Sequence, residues 1–246
     1  MKFSIVIPCY NEEHNLPFLL SSIKKLNYPK EEFEVIVVDN NCTDRTVEIA
    51  RSFNVDKIVQ EKNQGLTWAR QRGFLSAEGE IIAQIDADCE LPQEWLKIAE
   101  KYLAQEEVVA VSGPYDYFDF GFFNRKITHI FQMIFYPLIP KILNLIFKKR
   151  SAIIIGGNTA IKKISLEKIG GVNTSVNFWG EDTLLALSLA SIGKVVFTPK
   201  LKIFSSARRF KKEGMIKTSL KYFLTFFSLY FFGRPFVKEE KKEKKD

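Results

Sequence analysis

The chain has 246 residues, of which 46% are hydrophobic, and it carries a formal net charge of +7. This length and composition allow one large folded domain and exclude a chain that is disordered throughout. The basic residues lie mainly after residue 140, so the charge suits an anionic membrane surface or a phosphorylated substrate. Because zinc-ligand spacings, nucleic-acid signatures and internal repeats are absent from the sequence, we expect no nucleic-acid partner.

The cysteines and the first residues bear on the compartment. Cys9, Cys42 and Cys89 form no paired pattern, which favours a reducing compartment over a disulfide framework. The first apolar run, at residues 3–7, ends at Pro8 and is too short for a signal peptide. We therefore expect the folded domain to lie in the cytoplasm.

Short apolar runs alternate with amphipathic segments as far as residue 112. The runs are rich in Val and Ile and predict β-strands at residues 3–7, 34–38, 57–59, 80–85 and 108–111. The amphipathic segments predict helices at residues 13–26, 43–53, 66–77 and 93–104. Strands that alternate with helices predict an α/β fold, with a mostly parallel sheet and helices on both faces.

A second region, at residues 156–204, contains a helical period at 182–191 and a strand-like run at 194–197. It is too short to form a hydrophobic core of its own. We therefore assign it to the same domain, which we place at residues 1–205.

Two apolar stretches depart from this alternation. The first, at residues 127–147 within an insert at about 119–150, is long enough to span a membrane. Pro137 and Pro140 interrupt it, so a straight membrane span is not expected. The pattern instead predicts a pair of helices that lie at the membrane interface.

The second apolar stretch, at residues 222–232, is rich in aromatic residues and too short to cross a bilayer. Basic residues precede it, as in segments that lie on anionic lipid, so we predict that residues 206–237 associate with a membrane. A buried core helix or a partner interface is the alternative for both stretches. Residues 238–246 mix five lysines with four acidic residues and predict a disordered tail.

Asp86 and Asp88 directly follow the predicted strand at 80–85. In open parallel sheets, ligands bind beyond the carboxyl ends of the strands. Two carboxylates held close together there are costly unless a cation neutralises them, so the pair indicates a divalent metal site and phosphate chemistry. For this pair taken alone, the alternative is an acidic turn on the surface.

Asp39 ends another predicted strand at the same edge of the sheet. Its carboxylate can accept a hydrogen bond from a base imide or a ribose hydroxyl. The residues after it could equally serve only to cap a helix, through Asn41 or Thr43. The loop after the first strand lacks the glycine pattern of a Rossmann dinucleotide site, and the chain has no P-loop sequence.

Several segments together resemble family 2 glycosyltransferases of the GT-A fold, in their order and their spacing. They are Pro-Cys-Tyr-Asn-Glu at 8–12, Val-Val-Asp-Asn-Asn-Cys-Thr-Asp at 37–44, Asn-Gln-Gly at 63–65 with Ala-Arg at 69–70, and Asp-Ala-Asp at 86–88. The resemblance covers residue 3 to about residue 205. It implies a single Rossmann-like GT-A domain that moves a sugar from a nucleotide-diphosphate sugar to a hydroxyl acceptor.

The resemblance also implies roles for individual residues. Those that resemble the nucleotide-binding residues of the family are Pro8, Tyr10, Glu12, Asp39, Arg70 and Asp86. Those that resemble its acceptor-side residues are Gly157, Asn158, Trp179 and Glu181. Asp86 and Asp88 would hold Mg²⁺ or Mn²⁺, and Asp182 would be the catalytic base.

The chemistry agrees with these roles. A sugar diphosphate leaves as a dianion, which a bound cation stabilises, and a carboxylate near the acceptor hydroxyl removes its proton. A single base without a second nucleophile predicts an inverting displacement. Glu181 and Asp182 could instead only cap a helix, and Trp179 could be an ordinary buried aromatic residue.

One feature departs from the family pattern. Many GT-A enzymes supply a late histidine to the metal, but His14 and His129 are not placed for that role. Arg208 and Arg209 stand where such a ligand would be sought, and we predict that they clamp the diphosphate bidentately. A lipid-facing basic patch is the alternative interpretation of these two arginines.

The sequence thus predicts an enzyme at the cytoplasmic face of a membrane, with a UDP-sugar as the favoured donor and a glycan or lipid-linked acceptor. The alternative enzyme is a nucleotidyltransferase of similar fold, whose first loop is usually glycine-rich and basic. A non-catalytic scaffold that binds nucleotide sugars is the alternative outside enzymes. Loss of the metal or base carboxylates would favour it, whereas Asp86, Asp88 and Asp182 are all present.

Overall fold

The structure is a computed structural model that describes residues 1–148, 150–176 and 178–236. Its strands are β1 (Phe3–Cys9), β2 (Phe33–Asp39), β3 (Lys57–Gln60), β4 (Ile81–Ile85), β5 (Cys89–Glu90), β6 (Val108–Ser112), β7 (Tyr115–Tyr117), β8 (Asn158–Lys162), β9 (Lys194–Phe197) and β10 (Ile203–Ser205). Its α-helices are α1 (Leu16–Ile23), α2 (Thr46–Ser52), α3 (Leu66–Ser76), α4 (Trp95–Leu103), α5 (Phe122–Phe147), α6 (Lys163–Lys168), α7 (Glu181–Ile192), α8 (Arg208–Glu213) and α9 (Met215–Phe232). The predicted tail at 238–246 and residue 237 lie outside the described residues.

Seven strands form the central sheet, in the order β3-β2-β1-β4-β8-β6-β9. All neighbouring strands are parallel except β8, which runs antiparallel to both β4 and β6. The predicted mixed α/β fold with a mostly parallel sheet is therefore confirmed. The sequence analysis missed β8, because its residues Asn-Thr-Ala-Ile-Lys contain only a short apolar run.

Helices cover both faces of this sheet. Since successive residues of a strand point to opposite faces, β1 contributes to two cores. Ile5 and Ile7 pack in a core that includes residues of α1, α2 and α4. Val6 packs in the other core, with residues of α3, α6 and α7. Burial on both faces explains why the strands are apolar runs rather than alternating patterns.

A smaller sheet, in the order β5-β10-β7, lies next to the carboxyl edge of the central sheet. Ser205 of β10 pairs with Cys89 of β5 and with Tyr117 of β7. The chain after β10 therefore runs beside Asp88, and the Ser206 amide donates a hydrogen bond to the Asp88 carbonyl at 3.2 Å. This sheet brings residues that are more than a hundred positions apart in the sequence to one place.

The predicted pair of interfacial helices at 127–147 is wrong in one respect, because the segment forms the single helix α5. Pro137 and Pro140 lie inside it. Each proline removes one backbone donor and its ring crowds the carbonyl four residues earlier, yet the helix continues through both. Within the described part of the chain, α5 is the one helix long and apolar enough to cross a membrane.

Helices α5 and α9 leave much of their apolar surface exposed. Leu143 of α5 packs with Phe226 and Tyr230 of α9 in a small separate core. The exposed apolar side chains of α5 are Phe122, Phe123, Ile127, Ile130, Phe131, Ile134, Phe135, Leu138, Ile142, Leu145, Ile146 and Phe147, and those of α9 are Ile216, Leu220, Tyr222, Phe223, Phe231 and Phe232. We refer to these side chains together as the apolar surface.

Candidate active site

The candidate site lies where β1, β2 and β4 end at one edge of the central sheet. The loops after β1 and β2 are joined by side chains. Asn11, at φ +56°, accepts a hydrogen bond from the Thr43 amide at 2.8 Å, and the Glu12 amide donates to Thr46 Oγ1 at 2.8 Å. Pro8 is buried within β1, whereas Tyr10 is 47% exposed at the rim of the cleft.

The start of α2 is capped by a residue other than Asn41 or Thr43. The Thr46 amide donates to Asp44 Oδ1 at 3.0 Å, and the Glu13 amide donates to the other oxygen of the same carboxylate at 3.0 Å. These bonds hold the pKa of Asp44 below its ordinary value, although partial burial opposes them. The predicted cap by Asn41 or Thr43 is therefore wrong.

Asp39 and Asn40 follow each other at the end of β2 but serve different purposes. Asp39 is half-buried, and its Oδ1 accepts from the Cys42 amide at 2.8 Å. Asn40 is buried; its amide donates to the Asn63 carbonyl at 2.7 Å, and its Oδ1 accepts from the Gly65 amide at 2.8 Å. Asn40 thus fixes the loop before α3, a role that the sequence analysis missed.

Arg70 lies at the centre of a buried ion-pair network. Its side chain is only 1% exposed; Nη2 donates to Asp86 Oδ1 at 2.9 Å, and Nη1 donates to Glu181 Oε1. Burial disfavours the charged form of Arg70, but the two carboxylates outweigh it and raise its pKa. The prediction that Arg70 binds the nucleotide is not supported by this position. Its guanidinium is enclosed and orients Asp86 instead.

Glu181 was predicted to bind the acceptor, yet it is buried beneath the site. One oxygen takes the Arg70 hydrogen bond, and Oε2 has no hydrogen-bond partner among the described residues. Burial raises the pKa of Glu181, although Arg70 opposes the shift. Glu181 therefore serves first to hold Arg70 in place.

Two glycines allow this network to form. A Cβ at Gly156 would overlap the Arg70 guanidinium and the Glu181 carboxylate, and a Cβ at Gly157 would overlap the Asp86 carboxylate. Gly157 also accepts a hydrogen bond from the Asp86 amide at 3.2 Å. Gly157, which was predicted on the acceptor side, therefore packs directly beneath Asp86.

Tyr115 completes the setting of Asp86. Its hydroxyl donates to Asp86 Oδ2 at 3.0 Å, so both carboxylate oxygens have a partner. Burial, followed by the nearby Asp86 charge, raises the pKa of Tyr115 well above its ordinary value. The sequence analysis missed Tyr115, although its place just beyond the carboxyl end of β6 was a usable signal.

Asn158, which was predicted on the acceptor side, lies in a buried hydrogen-bond network. Asn158 is fully buried, and its Oδ1 accepts from Trp95 Nε1 at 3.0 Å. Its amide donates to the carbonyls of Gly113 at 2.9 Å and Leu201 at 2.8 Å. All of its polar atoms therefore serve to join β8 to the surrounding loops, and none faces the cleft.

Asp182 lies in the first turn of α7 and is half-buried. Its Oδ1 accepts from the Thr183 amide at 2.8 Å. Burial and the neighbouring Glu181 carboxylate raise the pKa of Asp182 to about 7. A carboxylate with a pKa near neutrality at the mouth of a cleft is suited to accept a proton.

Arg208 bridges the two sides of the cleft. Its Nη2 and Nη1 donate to the Glu12 carboxylate at 2.6 Å and 3.0 Å, and its Nε lies 3.0 Å from Asp88 Oδ2. Burial raises the pKa of Asp88 to about 7, although Arg208 opposes the shift. Because Glu12 belongs to the loop after β1, Arg208 closes the cleft in front of the Asp86–Asp88 pair.

Arg209 points elsewhere. Its guanidinium lies 3.6 Å from the centre of the Phe178 ring and 5.7 Å from that of Trp179, and its Nη1 donates to the Tyr222 hydroxyl at 3.3 Å. Of the two arginines predicted to clamp the diphosphate together, the structure thus places Arg208 beside Asp88 and Arg209 against an aromatic wall.

Asp86 and Asp88 carry oxygen ligands of the kind that Mg²⁺ and Mn²⁺ prefer. In the described ranges, no three acidic, histidine or cysteine side chains lie close enough together to hold a metal ion. Asp86 and Asp88 would therefore hold a divalent cation only together with ligands from outside the described residues. Arg208 occupies the contact with Asp88 that such a cation would need.

The fold places the chain among GT-A enzymes. It resembles the mannosyltransferase PcManGT of Pyrobaculum calidifontis in complex with GDP-Man and Mn²⁺, with a TM-score of 0.67, 25% identity, and coverage of 83% of this chain and 56% of that one. It also resembles Staphylococcus aureus TarS in complex with UDP-GlcNAc, with a TM-score of 0.65, 22% identity, and coverage of 89% and 61%. The identity to TarS is low enough that this match concerns the fold alone.

The family model for glycosyl transferase family 2 matches residues 4–170, and the chain belongs to this family. Membership of this family replaces the nucleotidyltransferase alternative. Among curated relatives, the dolichol-phosphate mannosyltransferase of Pyrococcus furiosus is 34% identical over 123 residues, which are 47% of this chain and 34% of that protein. The chain spans less than half the length of the curated relatives that it matches first.

Proposed function

We propose that this chain is a metal-dependent, inverting glycosyltransferase that moves a hexosyl group from a nucleotide-diphosphate sugar to a hydroxyl of a glycan or lipid-linked acceptor. The observation that carries the proposal is the position of Asp182. Asp182 directly follows Glu181, which pairs with Arg70, and Arg70 in turn pairs with Asp86. Burial and the Glu181 carboxylate raise the pKa of Asp182 to about 7. A proton acceptor and a pair of phosphate-side carboxylates in one cleft are what such a transfer needs.

On the donor side, Tyr10 and Asp39 are the groups offered to the nucleoside, at the ends of β1 and β2. Asp86 and Asp88 would hold Mg²⁺ or Mn²⁺, which stabilises the negative charge on the leaving diphosphate. Arg208 lies beside Asp88, and the N–H groups of its guanidinium can donate to two oxygens of one phosphate. On donor binding, we expect Arg208 to exchange its carboxylate partners for the diphosphate.

On the acceptor side, Asp182 removes the proton from the attacking hydroxyl as the oxygen forms a bond to the anomeric carbon. The bond from that carbon to the diphosphate oxygen breaks, and the nucleoside diphosphate leaves with the electron pair. Arg70 and Glu181 fix the geometry from below, because their buried ion pair leaves neither free to move. One base and one displacement invert the configuration of the anomeric carbon.

The comparisons support this proposal without identifying the substrates. PcManGT was found with GDP-Man and Mn²⁺, and TarS with UDP-GlcNAc, so both relatives bind nucleotide sugars. We favour a UDP-sugar for this chain because of the carboxylate of Asp39 at the nucleoside end. The name of the Pyrococcus relative refers to a dolichol phosphate, which supports a lipid-linked acceptor here.

A panel of UDP- and GDP-sugars tests the function. In the presence of Mn²⁺, we expect the chain to transfer or slowly hydrolyse at least one donor, as measured by release of the nucleoside diphosphate. Removal of divalent cations with a chelator should abolish that release. If no donor is turned over or bound, the enzyme assignment fails, and a non-catalytic scaffold would account better for the fold.

We also propose that the apolar surface lies on the cytoplasmic face of a membrane. The exposed aromatic and aliphatic side chains of α5 and α9 form an apolar surface too extensive for one that meets only water. Basic residues accompany them, namely Lys126, Lys141, Lys148, Arg150, Lys212 and Lys217. Apolar area plus positive charge is typical of segments that bind anionic lipid, and the free cysteines suit the cytoplasmic side.

Vesicle sedimentation checks this surface. We expect the protein to bind phosphatidylglycerol vesicles. Leu145→Asp, on α5, should weaken binding about tenfold or more, because the leucine side chain that would insert into the lipid is replaced by a charge. Leu75→Asp is the matched control, since Leu75 is also exposed but lies on α3. Equal binding by both variants, or no binding by the parent protein, would contradict the proposal.

A further inference from the structure

The aromatic wall around Arg209 is not used by the transfer chemistry described above. We call it the Arg209 cluster: Phe178, Trp179, Arg209, Lys221 and Tyr222. The guanidinium carbon of Arg209 lies over the Phe178 ring, 3.6 Å from its centre, and Lys221 Nζ lies 5.0 Å from the centre of the Trp179 ring. Trp179 also packs on Tyr222, with ring centres 5.1 Å apart. Two cations are thus held by three aromatic rings.

Arg209 forms no ion pair within the described ranges, although its charge acts on the Glu181 and Glu213 carboxylates at longer range. Arg208 has Glu12 and Asp88, and Lys221 has Glu213 at 2.6 Å, whereas Arg209 forms no ion pair. Its side chain is nevertheless half-buried, which makes an unpaired charge unfavourable. A guanidinium that is stacked on one face and keeps N–H groups at its edge is arranged to receive an anion.

The cluster lies between the candidate base and the apolar surface. Phe178 and Trp179 belong to the loop that leads directly into Glu181 and Asp182. On the other side, a Cβ at Gly180 would overlap Leu229 of α9, so α9 packs closely against this loop. Leu220 and Phe223, which flank Lys221 and Tyr222 in the chain, are exposed parts of the apolar surface.

The electrostatic environment of Tyr222 supports this placement. Burial raises the pKa of its hydroxyl to about 12, and the charges of both Arg209 and Asp182 act on it in opposite directions. Arg209 Nη1 donates to the Tyr222 hydroxyl at 3.3 Å, and Trp179, which packs on Tyr222, lies three positions before Asp182 in the chain. The cluster thus adjoins the start of α7.

We infer that the Arg209 cluster binds the phosphate of a lipid-linked acceptor, while the lipid chain lies along the apolar surface and the accepting hydroxyl meets Asp182. The inference rests on the proposed function, which it makes more specific. An amphiphile is favoured over a water-soluble phosphate because the exposed apolar side chains continue directly from the cluster. The positive charge of the cluster and the adjoining apolar surface are thus complementary to one kind of ligand, an amphiphile that carries a phosphate.

The test measures binding of farnesyl phosphate to the full chain by calorimetry in neutral detergent. Farnesol controls for the apolar chain, and glycerol 3-phosphate controls for a soluble phosphate. We expect farnesyl phosphate to bind most tightly, and Arg209→Gln to weaken it about tenfold or more, since a charged hydrogen bond is lost. Arg209→Lys keeps the charge without the planar stacking and should fall between the two. Arg72→Gln is the matched control, because Arg72 is also an arginine but is exposed on α3, outside the cluster and the apolar surface.

Equal affinity of the parent protein and Arg209→Gln for farnesyl phosphate, or no binding by the parent, overturns the inference. If glycerol 3-phosphate binds as tightly as farnesyl phosphate, with the same dependence on Arg209, the inference that the phosphate belongs to a lipid is overturned. Titration with UDP and Mn²⁺ shows whether each variant is folded. If farnesyl phosphate binding depends on Arg209 but no sugar is transferred, the proposed function fails and this inference stands. If the parent protein transfers sugar and Arg209→Gln transfers it equally well, the proposed function stands and this inference fails.

Discussion

Asp182→Asn is expected to lower kcat by roughly 10²- to 10⁴-fold, the range that positioned general bases contribute. The amide keeps the shape of the side chain but cannot take a proton from the acceptor hydroxyl. Asp56→Asn is the matched control, because Asp56 accepts a hydrogen bond from the Val35 amide at 2.8 Å at the opposite end of β2. A kcat within a fewfold of the parent value for Asp182→Asn would remove Asp182 from the mechanism.

The pH profile gives an independent check of this base. Because the pKa of Asp182 is raised from 3.8 to about 7, kcat/KM should rise with pH through about 7 and level off above it. A carboxyl group with a raised folded-state pKa binds its proton more tightly when folded, so its contribution to stability falls as pH rises between these two values. Asp182→Asn should therefore unfold no more easily than the parent protein at pH 8, although it is inactive.

The sequence was informative wherever a short stretch of chain determined the outcome. Apolar runs predicted six of the seven strands of the central sheet. The carboxylates that end or follow these strands, Asp39, Asp86 and Asp88, lie at its carboxyl edge. Burial could not be deduced in the same way. Arg70 was singled out as a nucleotide-binding residue, but its enclosure between two carboxylates depends on Glu181, which lies 111 positions further along the chain.

The residues that the sequence analysis missed share this long-range character. Tyr115 meets Asp86 across 29 positions, and Asn40 meets Gly65 across 25. No local pattern marks such pairs, because they form only when separate loops converge. Arg208 and Arg209, in contrast, are adjacent in the chain but contact different partners. Neighbouring side chains of a helix point about 100° apart, so a shared motif does not imply a shared role.

Arg70→Met is expected to destabilise the folded protein by about 3–5 kcal/mol at pH 7. Methionine fills a similar volume but leaves the Asp86 and Glu181 carboxylates without their cation. Glu181 is buried and carries most of this cost, whereas Asp86 is partly exposed and partly relieved by water. Unfolding in urea, followed by circular dichroism, measures the change. Arg72→Met, an exposed arginine of the same helix, should change stability by only about 0.5 kcal/mol.

The cause of this loss can be separated from a packing defect. Without Arg70, the effect of burial on the Glu181 carboxyl group is no longer opposed, so its folded-state pKa lies further above the unfolded one and the folded state binds more protons. The deficit of Arg70→Met should therefore shrink as pH falls from 7 towards 5. Adding Glu181→Gln should recover part of it at pH 7, because one of the two stranded charges is then removed. The loss of stability could instead be independent of pH and unrelieved by Glu181→Gln. Arg70 would then stabilise the fold by filling space and not by its ion pairs with Asp86 and Glu181.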